Sequence, residues 1–259
     1  MNNRIITLFQ QKPKEVLNIY CTAGYPHLED TPTIIQALAH SGVDLIEIGM
    51  PFSDPIADGP TIQASNQQAL NNGMTLERLF QQLKGIRDTV EIPMLLMGYI
   101  NPVLQYGIER FCQDAADTGI DGLILPDVPI YEYEHFYKDL FEQYNLSNIF
   151  LISPQTSEER IRKIDELSNG FIYMVSTDST TGKTGDISAS QQAYFERIVG
   201  MNLKNPRLIG FGIHNHETYR TACRYSHGAI IGSAFIKAIK DTKDIEGTAR
   251  EFVGNIRGG

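Results

Sequence analysis

The chain alternates between short apolar segments and longer segments in which apolar residues recur every three or four positions. Short segments rich in β-branched residues predict buried strands, and the longer period predicts amphipathic helices. We predict eight strands, at Val16 to Thr22, Val43 to Ile48, Met94 to Met97, Gly122 to Leu125, Asn148 to Ile152, Gly170 to Val175, Arg207 to Phe211 and Ala229 to Ile231. Helical patterns separate them, at Thr31 to His40, Thr75 to Arg87, Ile108 to Asp117, Tyr131 to Tyr144, Glu158 to Leu167, Gln191 to Val199, Glu217 to Tyr225 and Ile245 to Ile256.

Regular alternation of eight strands and eight helices over about 250 residues predicts a (β/α)8 barrel, the TIM-barrel fold. Two segments are additional to this repeat. Met1 to Gln11 predicts a helix across the bottom of the barrel, and Thr61 to Asn72 predicts a helix inserted after the second strand. No Pro/Gly/Ser-rich linker interrupts the chain, so we expect residues 1–259 to form a single domain.

Composition and charge narrow the possible functions. Hydrophobic residues make up 42% of the chain and charged residues 20%, which is typical of a soluble globular protein. The net charge is -9 and the basic residues are scattered, so nucleic acid is not an expected partner. No apolar run approaches the ~18 residues of a membrane span. Cys21, Cys112 and Cys223 are odd in number and far apart, which favours reduced thiols in a cytoplasmic protein.

Carboxylates cluster where the second strand ends. Glu47 lies among apolar residues of that strand, where partial desolvation would raise its pKa and suit it to acid/base chemistry. A satisfied core carboxylate or a salt-bridged residue at the rim is the alternative. Asp58, on the stiff loop that follows, is a second catalytic candidate, although it could simply cap the next helix. Asp54 is more typical of a turn or an interface.

Two glycine sites follow the last two strands. Gly210, Phe211 and Gly212 come after the seventh strand, and Gly232 and Ser233 come after the eighth, before a short helix. Glycines allow backbone N–H groups to approach phosphate oxygens, and barrels often bind phosphate at this position. A single Gly-Ser pair often does no more than turn the chain, but two such sites predict a phosphate site.

The segment Ser176 to Ser190 is long, polar and rich in Gly, Ser and Thr. Its position after the sixth strand predicts a lid that closes over a ligand, and a surface loop without function is the alternative. Lys183, within this segment, could contact an anion.

Other chemistries receive little support from the sequence. A Schiff-base aldolase needs a lysine at a strand end, and no predicted strand ends in one. His214 and His216 lack a third metal ligand, so no metal site is predicted. Tyr20 and Tyr99 lie near strand ends, where they could line a pocket or belong to the core.

The run EIGMPFSDPIADGPTIQ, from Glu47 to Gln63, closely resembles the signature of the tryptophan synthase alpha subunit family. LPDVP at Leu125 to Pro129 and both glycine sites follow in the family's order and spacing. The resemblance implies a TIM barrel that cleaves indole-3-glycerol phosphate to indole and glyceraldehyde 3-phosphate. It also implies a beta subunit as partner, in a heterotetramer of two alpha and two beta chains. Pyridoxal phosphate is expected in that beta subunit, and no cofactor is expected in this chain.

The resemblance also implies roles for individual residues. Glu47 matches the general acid/base, and Asp58 matches the carboxylate that stabilises positive charge on the indole nitrogen. The positions that match substrate-binding residues are Tyr173, Thr181, Gly182, Phe211, Gly212, Gly232 and Ser233. Those that match residues facing the beta subunit are Asp54, Asn101 and Asp127. The lid departs from the family because it is more polar and carries Asp178 and Lys183.

Two other functions remain open at this point. The chain could be an idle barrel kept as an allosteric partner of the beta subunit, although Glu47, Asp58 and the phosphate glycines speak against loss of activity. It could also be another phosphate-binding barrel enzyme, such as an isomerase or an indole-forming relative that acts alone.

Overall fold

The structure is a computed structural model that describes residues 3–56, 58–176, 188–210 and 212–259. Within these residues the strands are β1 (Val16–Thr22), β2 (Leu45–Gly49), β3 (Met94–Met97), β4 (Gly122–Ile124), β5 (Ser147–Asn148), β6 (Phe150–Ile152), β7 (Ile172–Val175), β8 (Arg207–Gly210) and β9 (Gly228–Ile231). All the strand pairs are parallel, in the order β5-β4-β3-β2-β1-β9-β8-β7-β6.

The two strands at the ends of this order belong to one segment of chain. β5 pairs with β4, β6 pairs with β7, and only Ile149 separates β5 from β6. The Ile149 N–H donates to the Leu123 carbonyl at 2.9 Å, so pairing continues through the break. The sheet therefore closes on itself, and the predicted barrel of eight strands is confirmed with its fifth strand divided in two.

Helices follow the strands around the barrel. Their bounds are α1 (Arg4–Gln11), α2 (Thr31–His40), α3 (Pro60–Asn71), α4 (Leu76–Leu83), α5 (Ile100–Tyr106), α6 (Ile108–Asp117), α7 (Ile130–Glu132), α8 (Lys138–Gln143), α9 (Glu158–Leu167), α10 (Ala189–Gly200), α11 (His216–Tyr225), α12 (Ser233–Ile239) and α13 (Ile245–Arg257). A π-helical turn, Tyr133–Tyr137, joins α7 to α8. None of the helices in the described ranges is long and apolar enough to cross a membrane.

Both additional helices are present, as α1 and α3. The predicted helix from Thr75 to Arg87 is too long, because α4 ends at Leu83 and Gly85 adopts a left-handed conformation with φ of 76°. Helix α5 was not predicted, since its seven residues are too few to display a helical period.

Helix α1 closes one end of the barrel. Its buried residues Ile5 and Phe9 form one apolar cluster with side chains from the strands, which are Val16, Leu45, Leu95, Ile124, Ile149, Phe171, Tyr173, Leu208 and Ile230. Side chains alternate between the two faces of a strand, so this set lines the inside of the barrel. The bottom of the barrel is therefore a packed apolar core, and the site must lie at the opposite end.

Ion pairs hold α1 and the residue that follows it against the same end. Arg4 Nη1 lies 3.0 Å from Asp121 Oδ1, and Lys12 Nζ lies 2.7 Å from Asp44 Oδ2. The Asp121 side chain is almost fully buried, whereas the Arg4 side chain is about half exposed, so the apolar contacts of Ile5 and Phe9 contribute more to holding the helix.

Shortening a buried side chain of α1 should therefore lower the stability of the folded protein. Ile5→Ala removes a fully buried side chain and should lower the free energy of unfolding by about 2–5 kcal/mol. Equilibrium urea unfolding measures the change. Gln10→Ala, on the exposed face of the same helix, is the matched control. Equal stability of the two variants would contradict a structural role for α1.

Candidate active site

Glu47 lies on β2 inside the barrel, and its side chain has no exposed surface. Burial raises the pKa of its carboxyl from 4.5 to about 8, and a hydrogen bond from Asn18 opposes this shift. The alternative of a salt-bridged rim residue does not hold, because the residue is fully buried and its Oε2 has no hydrogen-bond partner among the described residues. The carboxyl is therefore held mostly protonated at neutral pH.

Asn18, on the neighbouring strand β1, is the residue that contacts this carboxyl. Its Nδ2 donates to Glu47 Oε1 at 2.5 Å, and both side chains are fully buried. Asn18 was not among the predicted site residues. The available signal was a polar residue in the middle of an otherwise mostly apolar strand, VLNIYCT.

Asp58 lies on the loop between β2 and α3, partly buried. Its Oδ2 accepts a hydrogen bond from the Tyr99 hydroxyl at 3.3 Å. The alternative that Asp58 caps α3 is wrong, because Gly59 is the N-cap residue and makes no side-chain cap bond. Burial raises the pKa of the Asp58 carboxyl from 3.8 to about 6, against the effect of the Tyr99 hydrogen bond.

Two tyrosines lie over glycines of the adjacent strands. A Cβ at Gly49 would collide with the Tyr20 ring, and a Cβ at Gly210 would collide with the Tyr173 ring. Burial raises the pKa of both phenols, and the charges of Glu47 and Asp58 raise it further. The tyrosines and the two carboxyls therefore share one electrostatic environment inside the barrel.

A small pocket opens beside Asp58. Its lining residues are Tyr20, Met50, Asp58, Asn66, Met97, Gly98, Tyr99 and Pro126. Tyr20 and Tyr99 therefore line a pocket, which was one of the two interpretations of their position. Asn66, on α3, is 3% exposed, and its Oδ1 has no hydrogen-bond partner in the described part of the chain. Asn66 was not predicted, since a polar residue on a helix face is no signal of a site.

Of the remaining predicted substrate-binding residues, some belong to the described part of the chain and others do not. Gly212 adopts a left-handed conformation with φ of 77°, and the space where a Cβ would lie is open. Gly232 is the N-cap residue of α12, and Ser233 is the first residue of that helix. Thr181, Gly182 and Phe211 lie outside the described residues, as does most of the predicted lid. Its final residues are described, and Ser190 belongs to α10.

The residues predicted to face a partner subunit lie on the surface. Asp54, Asn101 and Asp127 are all exposed. Both carboxylate oxygens of Asp127 accept from the backbone N–H of Ile100 at 3.1 Å, so Asp127 also stabilises the start of α5. Asp54 accepts from the Ser53 hydroxyl within its turn. These hydrogen bonds stabilise the loops that carry Asp54 and Asp127, and both residues remain exposed.

His214 and His216, the two histidines considered as metal ligands, contact different parts of the backbone. His214 Nδ1 contacts the Gly212 carbonyl at 2.8 Å, and His216 Nδ1 contacts the Ile256 carbonyl at 2.9 Å. Within the described ranges, no group of three or more His, Cys, Asp or Glu residues is placed to hold a metal ion.

The pair of carboxyls offers one particular kind of chemistry. With pKa values of about 8 and about 6, Glu47 is mostly protonated and Asp58 mostly ionised near pH 7. Carboxyls whose environments separate their pKa values in this way can serve as acid and as charge stabiliser in the same site. The arrangement can deliver a proton and stabilise a cation formed nearby.

Comparison with known proteins gives a consistent result. A family model described as tryptophan synthase alpha chain matches residues 7–256. The tryptophan synthase alpha chain of Flavobacterium johnsoniae is 59% identical over 252 residues, which cover 97% of this chain and 99% of that protein. The corresponding protein of Parabacteroides distasonis is 51% identical over 254 residues, 98% of this chain and 97% of its own length.

Solved structures agree. The crystal structure of the tryptophan synthase alpha chain from Legionella pneumophila is 32% identical with a TM-score of 0.89, and the match covers 100% of this chain and 97% of that one. A structure of Mycobacterium tuberculosis tryptophan synthase is 30% identical with a TM-score of 0.88, over 100% and 98% of the two chains.

Burial of Glu47 should make stability depend on pH. Its pKa is raised in the folded state, so between pH 4.5 and about 8 the unfolded chain loses a proton that the folded protein keeps. Stability therefore falls as pH rises through this window, by roughly 3–5 kcal/mol from this group. Glu47→Gln should remove that loss.

Urea unfolding at intervals from pH 4.5 to 8.5 tests this expectation. Glu109→Gln, which changes an exposed carboxyl on α6, is the control for loss of one charge. If Glu47→Gln and the wild type lose stability in parallel over the whole window, the Glu47 carboxyl is not desolvated in the folded protein.

Proposed function

The chain belongs to the tryptophan synthase alpha chain family, and we propose that Glu47 and Asp58 together carry out the reaction of that family. The reaction is the retro-aldol cleavage of indole-3-glycerol phosphate to indole and glyceraldehyde 3-phosphate in tryptophan biosynthesis. The protein is therefore a carbon-carbon lyase. The observation that carries the assignment of roles is the separation of the two carboxyl pKa values.

In the first step Glu47 acts as the acid. Its protonated carboxyl gives the proton to indole C3, the ring carbon that bears the glycerol phosphate chain. The new C–H bond takes an electron pair from the ring, and positive charge develops on the indole nitrogen. The ionised Asp58 carboxylate stabilises that charge, and its partial burial makes the interaction stronger than it would be in water.

In the second step Glu47 acts as the base. Its carboxylate takes the proton from the hydroxyl on the carbon next to C3, and the oxygen electrons form the aldehyde C=O. The carbon-carbon bond breaks, and its electron pair returns to the ring and neutralises the iminium nitrogen. Glu47 ends the cycle protonated, as it began, so the two proton transfers balance.

The phosphate group of the substrate needs a site of its own. We assign its binding to the backbone of Gly212 and Gly232 and to Ser233, because N–H groups in the first turn of a helix have no intrahelical acceptors. Thr181, Gly182 and Phe211 complete the proposed substrate contacts, and Tyr173 adjoins the acid/base residue. The pinned phosphate would hold the scissile bond near Glu47.

The chain is the alpha member of a two-component enzyme, and pyridoxal phosphate resides in the beta subunit. The similar structures include tryptophan synthase from Mycobacterium tuberculosis, one of them in an aminoacrylate-bound form. We propose that this chain forms a heterotetramer of two alpha and two beta chains, through a surface that includes Asp54, Asn101 and Asp127. Their exposure is compatible with such a contact.

Two further proposals concern the chain as a whole. Residues 1–259 form one domain, which is supported by the packing of the last helix, α13, against α2 near the start of the chain. The protein is cytoplasmic, which is supported by its three free cysteines.

An idle barrel that serves only as a regulator is a weaker candidate. It would have no need for a buried carboxyl with one oxygen lacking a hydrogen-bond partner among the described residues, which costs folding free energy. An indole-forming barrel that acts alone is distinguished by whether the beta subunit changes its rate.

Activity tests the assignment directly. The purified chain, with and without the beta subunit and without added serine, should release indole from indole-3-glycerol phosphate. Glu47→Gln should lose at least about 10²-fold in kcat, because the amide keeps the shape of the side chain but cannot transfer protons. Absence of indole in every combination would reject the lyase function, and unchanged kcat would remove Glu47 from the mechanism.

The pH profile tests the two protonation states. kcat/KM should form a bell that rises near pH 6, as Asp58 ionises, and falls near pH 8, as Glu47 loses its proton. Asp58→Asn should lower kcat by about 10²-fold or more and abolish the acidic limb. If Asp58→Asn only raises KM and keeps that limb, Asp58 binds substrate without stabilising charge.

A further inference from the structure

Asn18 occupies a position that folding alone does not explain. It lies on β1 inside the barrel with no exposed surface, in a layer whose other members are mainly apolar. A buried carboxamide that lacks full hydrogen bonding costs free energy relative to an apolar residue of similar size. Its Oδ1 has no partner in the residues that the structure describes. The cost indicates a contribution of Asn18 other than packing.

Its contact is with one oxygen of the acid/base residue. Asn18 Nδ2 donates to Glu47 Oε1 at 2.5 Å. The register places Tyr20 opposite Glu47, so Asn18 approaches the carboxyl from one position earlier on the same face of β1. Glu47 Oε2 has no hydrogen-bond partner among the described residues, which leaves that oxygen for proton exchange with a substrate.

The other titratable groups around Glu47 cannot take over this contact in both states. Tyr20 and Cys21 on β1 and Tyr173 on β7 are buried, and burial raises the pKa of each, so all three stay neutral. Asp58 on the following loop carries the same sign of charge as an ionised Glu47. Among the described residues no salt bridge reaches Glu47.

We propose that Asn18 is a positioning residue that holds the Glu47 carboxyl through both of its protonation states. The carboxamide has a donor and an acceptor of nearly equal size on one planar group. Its NH2 donates to Glu47 Oε1, an oxygen that can accept this hydrogen bond both when Oε2 carries the proton and when the carboxylate is ionised. The inference rests on the proposed function, in which Glu47 gives a proton and then takes one.

The consequence is a carboxyl that keeps its orientation while its charge changes. An aspartate or a lysine at position 18 would suit only one of the two states, and an apolar residue would suit neither. The hydrogen bond also stabilises the ionised form inside the barrel, so Asn18 limits how far burial raises the pKa of Glu47.

Three variants separate positioning from packing. Asn18→Leu removes donor and acceptor at similar volume, and Asn18→Asp keeps the shape but removes the donor. Asn148→Leu is the control, since Asn148 is another buried strand asparagine, on β5, three strands away from β2. Each is assayed with the beta subunit present, and its unfolding midpoint confirms that it is folded.

We expect Asn18→Leu to lower kcat about tenfold or more, with KM changed less than about threefold, because substrate contacts remain. The alkaline limb of its kcat/KM profile should move up by about one pH unit, as expected for loss of a hydrogen bond to a charged group. Asn18→Asp should also lose turnover and move that limb, whereas Asn148→Leu should move neither.

A second readout does not depend on activity. The infrared C=O band of protonated Glu47, isolated by subtracting the spectrum of Glu47→Gln, should disappear at a higher pH in Asn18→Leu than in the wild type. An unmoved band and an unmoved alkaline limb in both Asn18 variants would overturn the positioning role. If the band moves but the wild type forms no indole, the hydrogen bond stands and the proposed lyase function fails.

Discussion

The Glu47 carboxyl lies inside a parallel barrel with a neutral amide beside it, and the chemistry of the site depends on this burial. A carboxyl in water is ionised at pH 7, whereas withdrawal from water raises the pKa of Glu47 to about 8. Burial of this carboxyl costs folding free energy. The fold tolerates that cost because burial of the apolar cluster formed by α1 and the strand interiors contributes a large favourable free energy. Asp58, nearer the rim and bonded to Tyr99, is shifted less and remains largely ionised.

Much of the architecture is readable from local sequence, because each strand and most helices carry their own hydrophobic period. The helices Thr31 to His40 and Ile108 to Asp117 are clear examples, because their predicted and observed bounds coincide. The division of the fifth strand at Ile149 depends on pairing with two different neighbours. Helix α5 is short and is held partly by the distant Asp127 carboxylate. Neither feature leaves a mark in a local pattern, so both were missed.

The residues of the candidate site likewise include some that a local sequence pattern reveals and others that it does not. Glu47 and Asp58 could be selected as candidates because a carboxyl within an apolar strand is unusual, and a second carboxyl follows on the stiff loop after that strand. Asn18 could not be assigned a role, because its partner is decided by the register between β1 and β2. The same holds for Asn66, which reaches the pocket only through the packing of α3. Partnership between strands is a property of the closed sheet, and periodicity alone does not determine it.

The tyrosines show how shape and electrostatics are linked in this site. Tyr20 and Tyr173 can take their buried positions only because Gly49 and Gly210 leave room for their rings. Both tyrosines are buried, as is Glu47, and burial is the main cause of the raised pKa of the Glu47 carboxyl. The two glycines therefore influence the surroundings of Glu47 without contacting the carboxyl. It follows that the electrostatics of the site cannot be separated from backbone shape: a side chain added at either position would displace a ring, admit water and return Glu47 toward an ordinary, ionised carboxylate.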